Sequence, residues 1–437
     1  MNSLFVLVST GQPVANLPPV LEHSEPGDFV LWVESAEARQ KNWMNSARSV
    51  LEDRGLVTAG VIETERLNDP ATLSVALAQF AAGAQGQYKR VFLVANGGNK
   101  LSPIGLILGL KSLNPEVLYG DDSPAVCSHY LTEFSKSPDI QPYTRHDLDL
   151  PDILRLSGHL IHNGNDVVRL WPSSLSLPYK NEPYGRDESY TYKLHADHHA
   201  RASAPPADRP VPFAELSLLT PDRYRRWLRN VQQVRDSGAI NPQVLCGLYN
   251  GTLELDRIAR TSAAGRGFPQ PAARLGESVE RAVARRLHQW LEVVRHPAVQ
   301  SAWANVIVAR DSDPHRAVVN FDVLVVLRNG VLIHLECKSG DICVRDLDAR
   351  IYRLRTTSSQ LARQVVVLPM FTRQASEPWF VQLHEHKLEL EQAGLSVLPF
   401  TWEQQPDSTE IPGLPSALPF PVPSFESELD RFLSRYR

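Results

Sequence analysis

Cysteine is nearly missing: 437 residues hold four, Cys127, Cys246, Cys337 and Cys343, and no two form a Cys-x-x-Cys pair. That spacing excludes a disulfide framework and a cysteine-based zinc site, and it fits a reducing cytoplasm. Long apolar runs are missing too. No stretch approaches the roughly 20 residues that a membrane-spanning helix needs. No basic segment precedes the short run Leu4 to Val8, so it reads as a first strand rather than a signal peptide. Neither a Walker A loop nor a Gly-x-Gly-x-x-Gly fingerprint occurs, which removes the ordinary ATP and NAD sites. Positive charge is not in excess, the formal net charge being −4. No internal repeat is visible. The length alone predicts two or three domains, each able to bury a core.

What is present centres on residues 318–338. Two apolar, β-branched runs flank Arg328-Asn329-Gly330 and predict a β-hairpin. Alternation along the second run puts Val331, Ile333, Leu335 and Cys337 on one face, and Leu332, His334, Glu336 and Lys338 on the other. Register decides whether Asp322 joins the second set. A two-residue Asn329-Gly330 loop places it opposite Cys337, on the wrong face. A three-residue loop, with Gly330 left-handed and forming a bulge, places it opposite Glu336. The three-residue loop is the expectation here.

Asp322, Glu336 and Lys338 then converge as two hard oxygen ligands beside an ammonium. This suits a divalent cation that activates water. The alternative, an ion-pair ladder on an exposed sheet face, sits poorly with the apolar neighbours. Upstream, a helix opening at Gly276-Glu277 carries Val279, Val283, Leu287, Trp290, Leu291 and Val294 at helical spacing. Glu280 lies at the edge of that stripe and can reach the sheet, whereas Glu277 reads as a first-turn charge favoured by the helix dipole.

Residues 1–120 alternate strand and helix signals. Leu4–Val8, Phe29–Val33, Val57–Ile62 and Val91–Ala95 read as buried strands, separated by helices near 36–53, 70–82 and 102–112. Such alternation predicts a doubly wound, mostly parallel sheet that binds ligands at its C-terminal strand ends. Two loops fall there. The first runs from Ser9 to Leu17. The second is Asn96-Gly97-Gly98-Asn99-Lys100, where glycines permit close approach and the following helix N-terminus attracts anions. A tight βα turn using glycine for geometry alone is the plainer reading of this loop.

Taken together, a Ser/Thr-Gly-Gln-Pro loop, an Asn-x-Gly-Gly-x-Lys loop and a later Asp…Glu-x-Lys hairpin resemble the CRISPR ancillary nucleases. In these a CRISPR-associated Rossmann fold (CARF) domain is fused to a PD-(D/E)XK nuclease. The resemblance implies an α/β chain with a Rossmann-like CARF domain over 1–160, a linker and helical connecting region over 161–270, and a nuclease core over 271–437. It implies a homodimer activated by a cyclic oligoadenylate, cyclic tetra-adenylate first among them. Messenger contacts carried over by position are Thr10, Gln12, Asn16, Asn96, Gly97, Gly98, Asn99 and Lys100. The family's Gly-Gly-Thr-Lys is Gly-Gly-Asn-Lys here, so Asn99 lacks the hydroxyl and the ring size stays open. Catalytic positions are Glu280, Asp322, Glu336 and Lys338, with Asp322, Glu336 and the Cys337 carbonyl holding Mn²⁺ or Mg²⁺. The substrate is RNA or DNA.

Two other readings compete. One is a restriction- or repair-type DNA endonuclease not gated by a messenger. The other is a non-catalytic nucleotide-binding signalling module. Elsewhere, the proline-rich stretch 171–211 reads as linker. Within it, His195, His198 and His199 read as a solvated loop before a metal site. An Arg-rich helix covers 220–236. Arg281, Arg285 and Arg286, beside the site, are candidates for phosphate contacts. A helix over Arg345 to Leu361 offers Gln360 as an extra polar group. Strands follow at Val365–Leu368 and Leu395–Phe400, and an amphipathic helix closes the chain.

Overall fold

Five apolar runs become parallel strands: β1 Leu4–Val8, β2 Phe29–Ser35, β3 Val57–Thr64, β4 Val91–Val94 and β5 Glu116–Gly120. A computed structural model describes residues 1–121, 123, 125–131, 136–144, 148–162, 167–172, 271–337, 344–358, 362–369, 387–400 and 425–436. Every residue of β1 and β4 is buried, as strands covered on both faces must be. The strand order is β3-β2-β1-β4-β5, continued by antiparallel β6 (Val126–Tyr130) and β7 (Asp139–Pro142). The winding reverses between β1 and β4. That switch point opens a crevice at their C-terminal ends, where the two glycine-containing loops lie.

Six helices accompany this sheet: α1 Leu17–His23, α2 Ala36–Gln40, α3 Trp43–Glu52, α4 Pro70–Ala84, α5 Ser102–Leu110 and α6 Leu150–Leu156. The single helix expected near 36–53 is two, because Asn42 turns left-handed at φ 53° between them. Asp69 caps α4 by accepting from the Ala71 and Thr72 amides. α5 lies close against α4 because Gly105 and Gly109 face it. A Cβ at Gly109 would meet Leu77 Cβ at 2.6 Å and the Ser74 carbonyl at 2.7 Å.

The second sheet runs β14-β13-β12-β11-β10-β8, with β9 also on β10. Its strands are β8 His159–Ile161, β9 Val168–Trp171, β10 Val299–Arg310, β11 Asp313–Leu327, β12 Leu332–Cys337, β13 Arg363–Pro369 and β14 Ser396–Phe400. β8 and β9 pair antiparallel with β10, so residues ahead of the proline-rich stretch complete the sheet that follows it. Among the described residues, three helices belong here: α7 Pro271–Val294, α8 Val344–Thr357 and α9 Phe425–Leu433. α7 begins at Pro271, earlier than the expected start at Gly276. Proline suits a first helical position, and Glu277 is therefore not a first-turn charge. His195, His198, His199, the 220–236 stretch and Gln360 lie outside the described residues.

One apolar cluster joins the two sheets. It runs from Phe5, Leu7, Trp32 and Phe92 through Val14, Leu17 and Leu150 to Leu287, Val325 and Val331. The opposite face of the first sheet packs α4 and α5 around Val6, Leu31, Leu73 and Leu106. Arg286 does not stay available for phosphate. It holds Glu426 of α9 at 2.5 Å, with its guanidinium 4.8 Å from the Phe400 ring centre.

At the N-terminal edge of the first sheet, Arg90 donates twice to Glu116, at 2.9 and 2.6 Å, and His129 lies 2.6 Å from the same carboxylate. The Arg90 hydrogen bond holds the Glu116 carboxyl below its ordinary pKa. A depressed carboxylate adds stability above its unfolded-state pKa and loses it as pH falls through the folded one. Glu116→Gln is expected to cost about 1 kcal/mol at pH 7, since solvent screens the half-exposed Arg90. Its melting temperature should converge on the wild type as pH falls through and below the ordinary carboxylate range, as thermal melts from neutral into acid pH will reveal.

Candidate functional site

The hairpin β11–β12 turns through Arg328-Asn329-Gly330. The Leu327 amide donates to the Val331 carbonyl at 2.8 Å, the Gly330 amide to the Leu327 carbonyl at 2.9 Å, and Gly330 has φ 80°. This is the three-residue loop with a left-handed glycine. Asn329 Oδ1 accepts from the Val331 amide at 3.2 Å and fixes the turn. Val323 pairs with Leu335 and Leu324 with His334. Continuing that register sets Asp322 opposite Glu336, on the face that also carries His334.

Asp322, His334 and Glu336 each offer one ligand atom, and these atoms lie within 4.8 Å of one another. All three are buried, at 7%, 2% and 0% exposure. Asp322 Oδ2 accepts from the Cys337 amide at 2.8 Å, and His334 Nε2 lies 3.5 Å from Glu336 Oε2. Two carboxylates so close repel unless positive charge or hydrogen bonds offset them. A site of this donor set and spacing fits a divalent cation.

The other expected residues fall unevenly around this group. Glu280 is half-buried on α7, which packs on β11 and β12, and it is not among the three convergent donors. Cys337 is buried with Sγ 3.7 Å from the Leu335 carbonyl. Lys338 lies outside the described residues. Two polar residues were not singled out as ligands from sequence. His334 had its signal in the alternation that put it on the Glu336 face. Gln364 of β13 pairs with His334 in register, and only the sheet order brings it near.

The second cluster gathers at the crevice of the first sheet. Asn16 Nδ2 donates to the Val8 carbonyl at 3.0 Å and its side chain lies against Gly97. A Cβ at Gly97 would sit 2.5 Å from Asn16 Nδ2, so the glycine is what lets the two loops meet. Ser9 Oγ and Asn16 Oδ1 are buried with no hydrogen-bond partner among the described residues. Both are polar atoms that a ligand could satisfy. Gly98, Asn99 and Lys100 are exposed, as are Gly11 and Gln12, while Thr10 is half-buried and accepts from the Gln12 amide at 3.3 Å.

Two of the expected contacts have structural duties. Asn96 donates to the Gly120 carbonyl at 2.6 Å and accepts from the Gly120 amide at 2.7 Å, tying β4 to β5. Asn99 Oδ1 accepts from the Leu101 and Ser102 amides at 2.9 and 3.2 Å, closing the N-terminus of α5. The two clusters are linked through the hairpin turn. A Cβ at Gly330 would lie 2.8 Å from Val14 Cγ1 and 3.4 Å from Pro18 Cγ, so the turn abuts the second half of the first loop and the start of α1.

No protein-family model and no curated protein matches this chain. Solved structures do. The crystal structure of protein VC1899 from Vibrio cholerae aligns over 99% of this chain and 98% of its own, at TM-score 0.59 and 16% identity. A type III CRISPR defence DNA nuclease activated by cyclic oligoadenylate aligns over all of this chain and 52% of its own, at TM-score 0.51 and 16% identity. Can2 from Sulfobacillus thermosulfidooxidans, in complex with cyclic tetra-adenylate, covers 100% and 99% at 12% identity, and at TM-score 0.48 it adds nothing to the fold assignment. The chain thus has the α/β fold that its motifs imply, a mostly parallel Rossmann-like sheet followed by a second α/β unit. No helix among the described residues is long and apolar enough to cross a membrane.

Replacing Asn99 by alanine should remove its two side-chain hydrogen bonds to the turn that leads into α5 and lower stability by about 1 kcal/mol. Aspartate at the same position should retain most of it. Urea unfolding of the three proteins will test the assignment.

Proposed function

We propose that this chain is a metal-dependent nuclease of CRISPR-type defence, activated by a cyclic oligoadenylate, that hydrolyses phosphodiester bonds in RNA or DNA with little sequence preference. The observation that carries the reading is the buried convergence of Asp322 and Glu336 across a hairpin whose turn abuts the first sheet's ligand crevice. The fold shared with a cyclic-oligoadenylate-activated DNA nuclease supports it. On this reading residues 1–160 sense the messenger, 161–270 connect and 271–437 cleave, with β8 and β9 lent to the second sheet from the end of the first region and the start of the connecting one.

Asp322, Glu336 and the Cys337 carbonyl would hold Mn²⁺ or Mg²⁺, with Glu280 reaching the same centre from α7. Such a cation lowers the pKa of bound water and offsets charge on the scissile phosphate. The Cys337 amide, donating to Asp322 Oδ2 at 2.8 Å, would orient the carboxylate. Lys338 would orient the attacking water or stabilise developing negative charge.

At the other end, Ser9, Thr10, Gln12 and Asn16 face Asn96–Lys100 across the switch point. Lys100 and the α5 N-terminus suit an anionic ligand. Leu101, Ile104 and Leu108 make an exposed apolar stripe on and beside α5, at 46%, 49% and 56% exposure. That stripe supports a homodimer in which a two-fold messenger meets the same loops of both protomers. Coupling requires the messenger to bind the cleavage-competent form more tightly by a few kcal/mol. Its shortest covalent and packed route runs from the first loop through Val14 to the Gly330 turn and along β11 and β12.

Three variants test this reading. Glu336→Gln should lower cleavage at least a thousandfold while messenger affinity stays within about twofold. Lys100→Glu should weaken messenger binding tenfold or more, with about 1.4 kcal/mol per decade, and leave metal binding intact. Gly330→Ala should cut messenger-stimulated cleavage more than messenger binding, because its added methyl displaces Val14. Messenger-independent cleavage of DNA by the wild type would favour a restriction- or repair-type enzyme. Absence of cleavage on every nucleic acid tried with Mn²⁺ would favour a binding module.

A further inference from the structure

We propose that His334 is a direct nitrogen ligand of the cation held by Asp322 and Glu336. The inference rests on the reading of that pair as a metal site and adds a donor of different chemistry to it. His334 stands two residues before Glu336 on β12, so strand alternation turns both side chains to one face. Its Nε2 lies 3.5 Å from Glu336 Oε2. Two donors each about 2.1 Å from one cation lie roughly 3–4 Å apart, so the observed separation is that of neighbouring ligands.

The surroundings hold the imidazole in place. The Phe321 ring meets it edge-on at 5.0 Å and 72°, which limits rotation of the buried ring. Gln364, 9% exposed, sits beside His334 in the β12–β13 register, and both of its amide atoms lack a partner among the described residues. A ligating histidine commonly donates its second ring N–H to a nearby carbonyl, which fixes the tautomer. Gln364 shares its register position with His334, and a rotation of its carboxamide toward the ring would supply that acceptor. An unpartnered, buried carboxamide at this spot has no packing rationale of its own.

A nitrogen donor changes what the site selects. Two carboxylates with water suit Mg²⁺ as well as Mn²⁺. An imidazole favours metals later in the first transition series and gives little to Mg²⁺. His334 therefore discriminates against Mg²⁺, and the nearest other explanation is a simple His334–Glu336 ion pair that leaves metal choice untouched.

Pulsed electron paramagnetic resonance on the full-length wild-type protein loaded with Mn²⁺ separates the two. Nitrogen modulation from a directly bound ¹⁴N is expected, and its absence with Mn²⁺ bound overturns the proposal without any variant. Titration of His334→Ala and His334→Asn with Mn²⁺, and with Mg²⁺ in competition, supplies the second measure. Mn²⁺ affinity should fall about 10- to 100-fold, while Mg²⁺ affinity moves less than threefold. Equal loss of both, or no loss of either, refutes ligation by His334. If the wild type binds neither ion, the metal-site reading itself fails, which is a different result from Mn²⁺ bound without nitrogen.

Discussion

The pairing register of β11 with β12 is the constraint on which both halves of the molecule depend. One residue fewer in the turn would rotate Asp322 to the opposite face from Glu336 and break the carboxylate pair. The extra residue is possible because Gly330 adopts φ 80°, where a side chain is strained. The same glycine has no Cβ to collide with Val14. A single position thus sets the geometry of the acidic site and the fit of that hairpin against the first sheet's loop. Neither could be adjusted alone.

The continuous apolar cluster gives this coupling its physical basis. Val14 and Leu17 belong to the same packed core as Val331, Val325 and Leu287. Close-packed interiors transmit displacement because they have few voids to absorb it. Ser9, Thr10 and Asn16 therefore sit at one end of a rigid route and the hairpin at the other. On the proposed function, a ligand that reorders the first loop would push on a turn that packs tightly against it.

The parts that were legible in the sequence share a local cause. Strand alternation and Asn329-Gly330 are encoded within a few residues, so the hairpin, its register and the Asp322–Glu336 facing could be read from residues 318–338. The βα alternation over residues 1–120 gave the parallel sheet for the same reason. What escaped depended on distant partners. Arg286 looked like a free basic residue because Glu426, 140 positions later, is invisible to any local pattern. β8 and β9 are short strands whose identity comes from β10. Asn96 and Asn99 sit in a loop that suits ligand contact, yet their carboxamides close backbone gaps at Gly120 and at the start of α5. The Asn96 and Asn99 duties are a reminder that a residue type common at ligand sites is also common at turns and caps.

The burial of Glu336 argues that the site is more than a packing accident. A carboxylate at 0% exposure carries a desolvation cost of several kcal/mol unless charge or hydrogen bonds offset it. A second carboxylate directly across the hairpin raises that cost through like-charge repulsion. Leucine at either position would suit the surrounding valines and leucines better, so a chain selected for stability alone has a cheaper solution available. Strained or costly local arrangements persist where they are needed for chemistry. The Cys337 amide, which Asp322 accepts, and the nearby His334 imidazole meet part of the cost, and a divalent cation between the donors would meet the rest. The acidic pair is therefore expected to be most at home in its surroundings when a cation is bound, which makes metal binding and local order two aspects of one equilibrium.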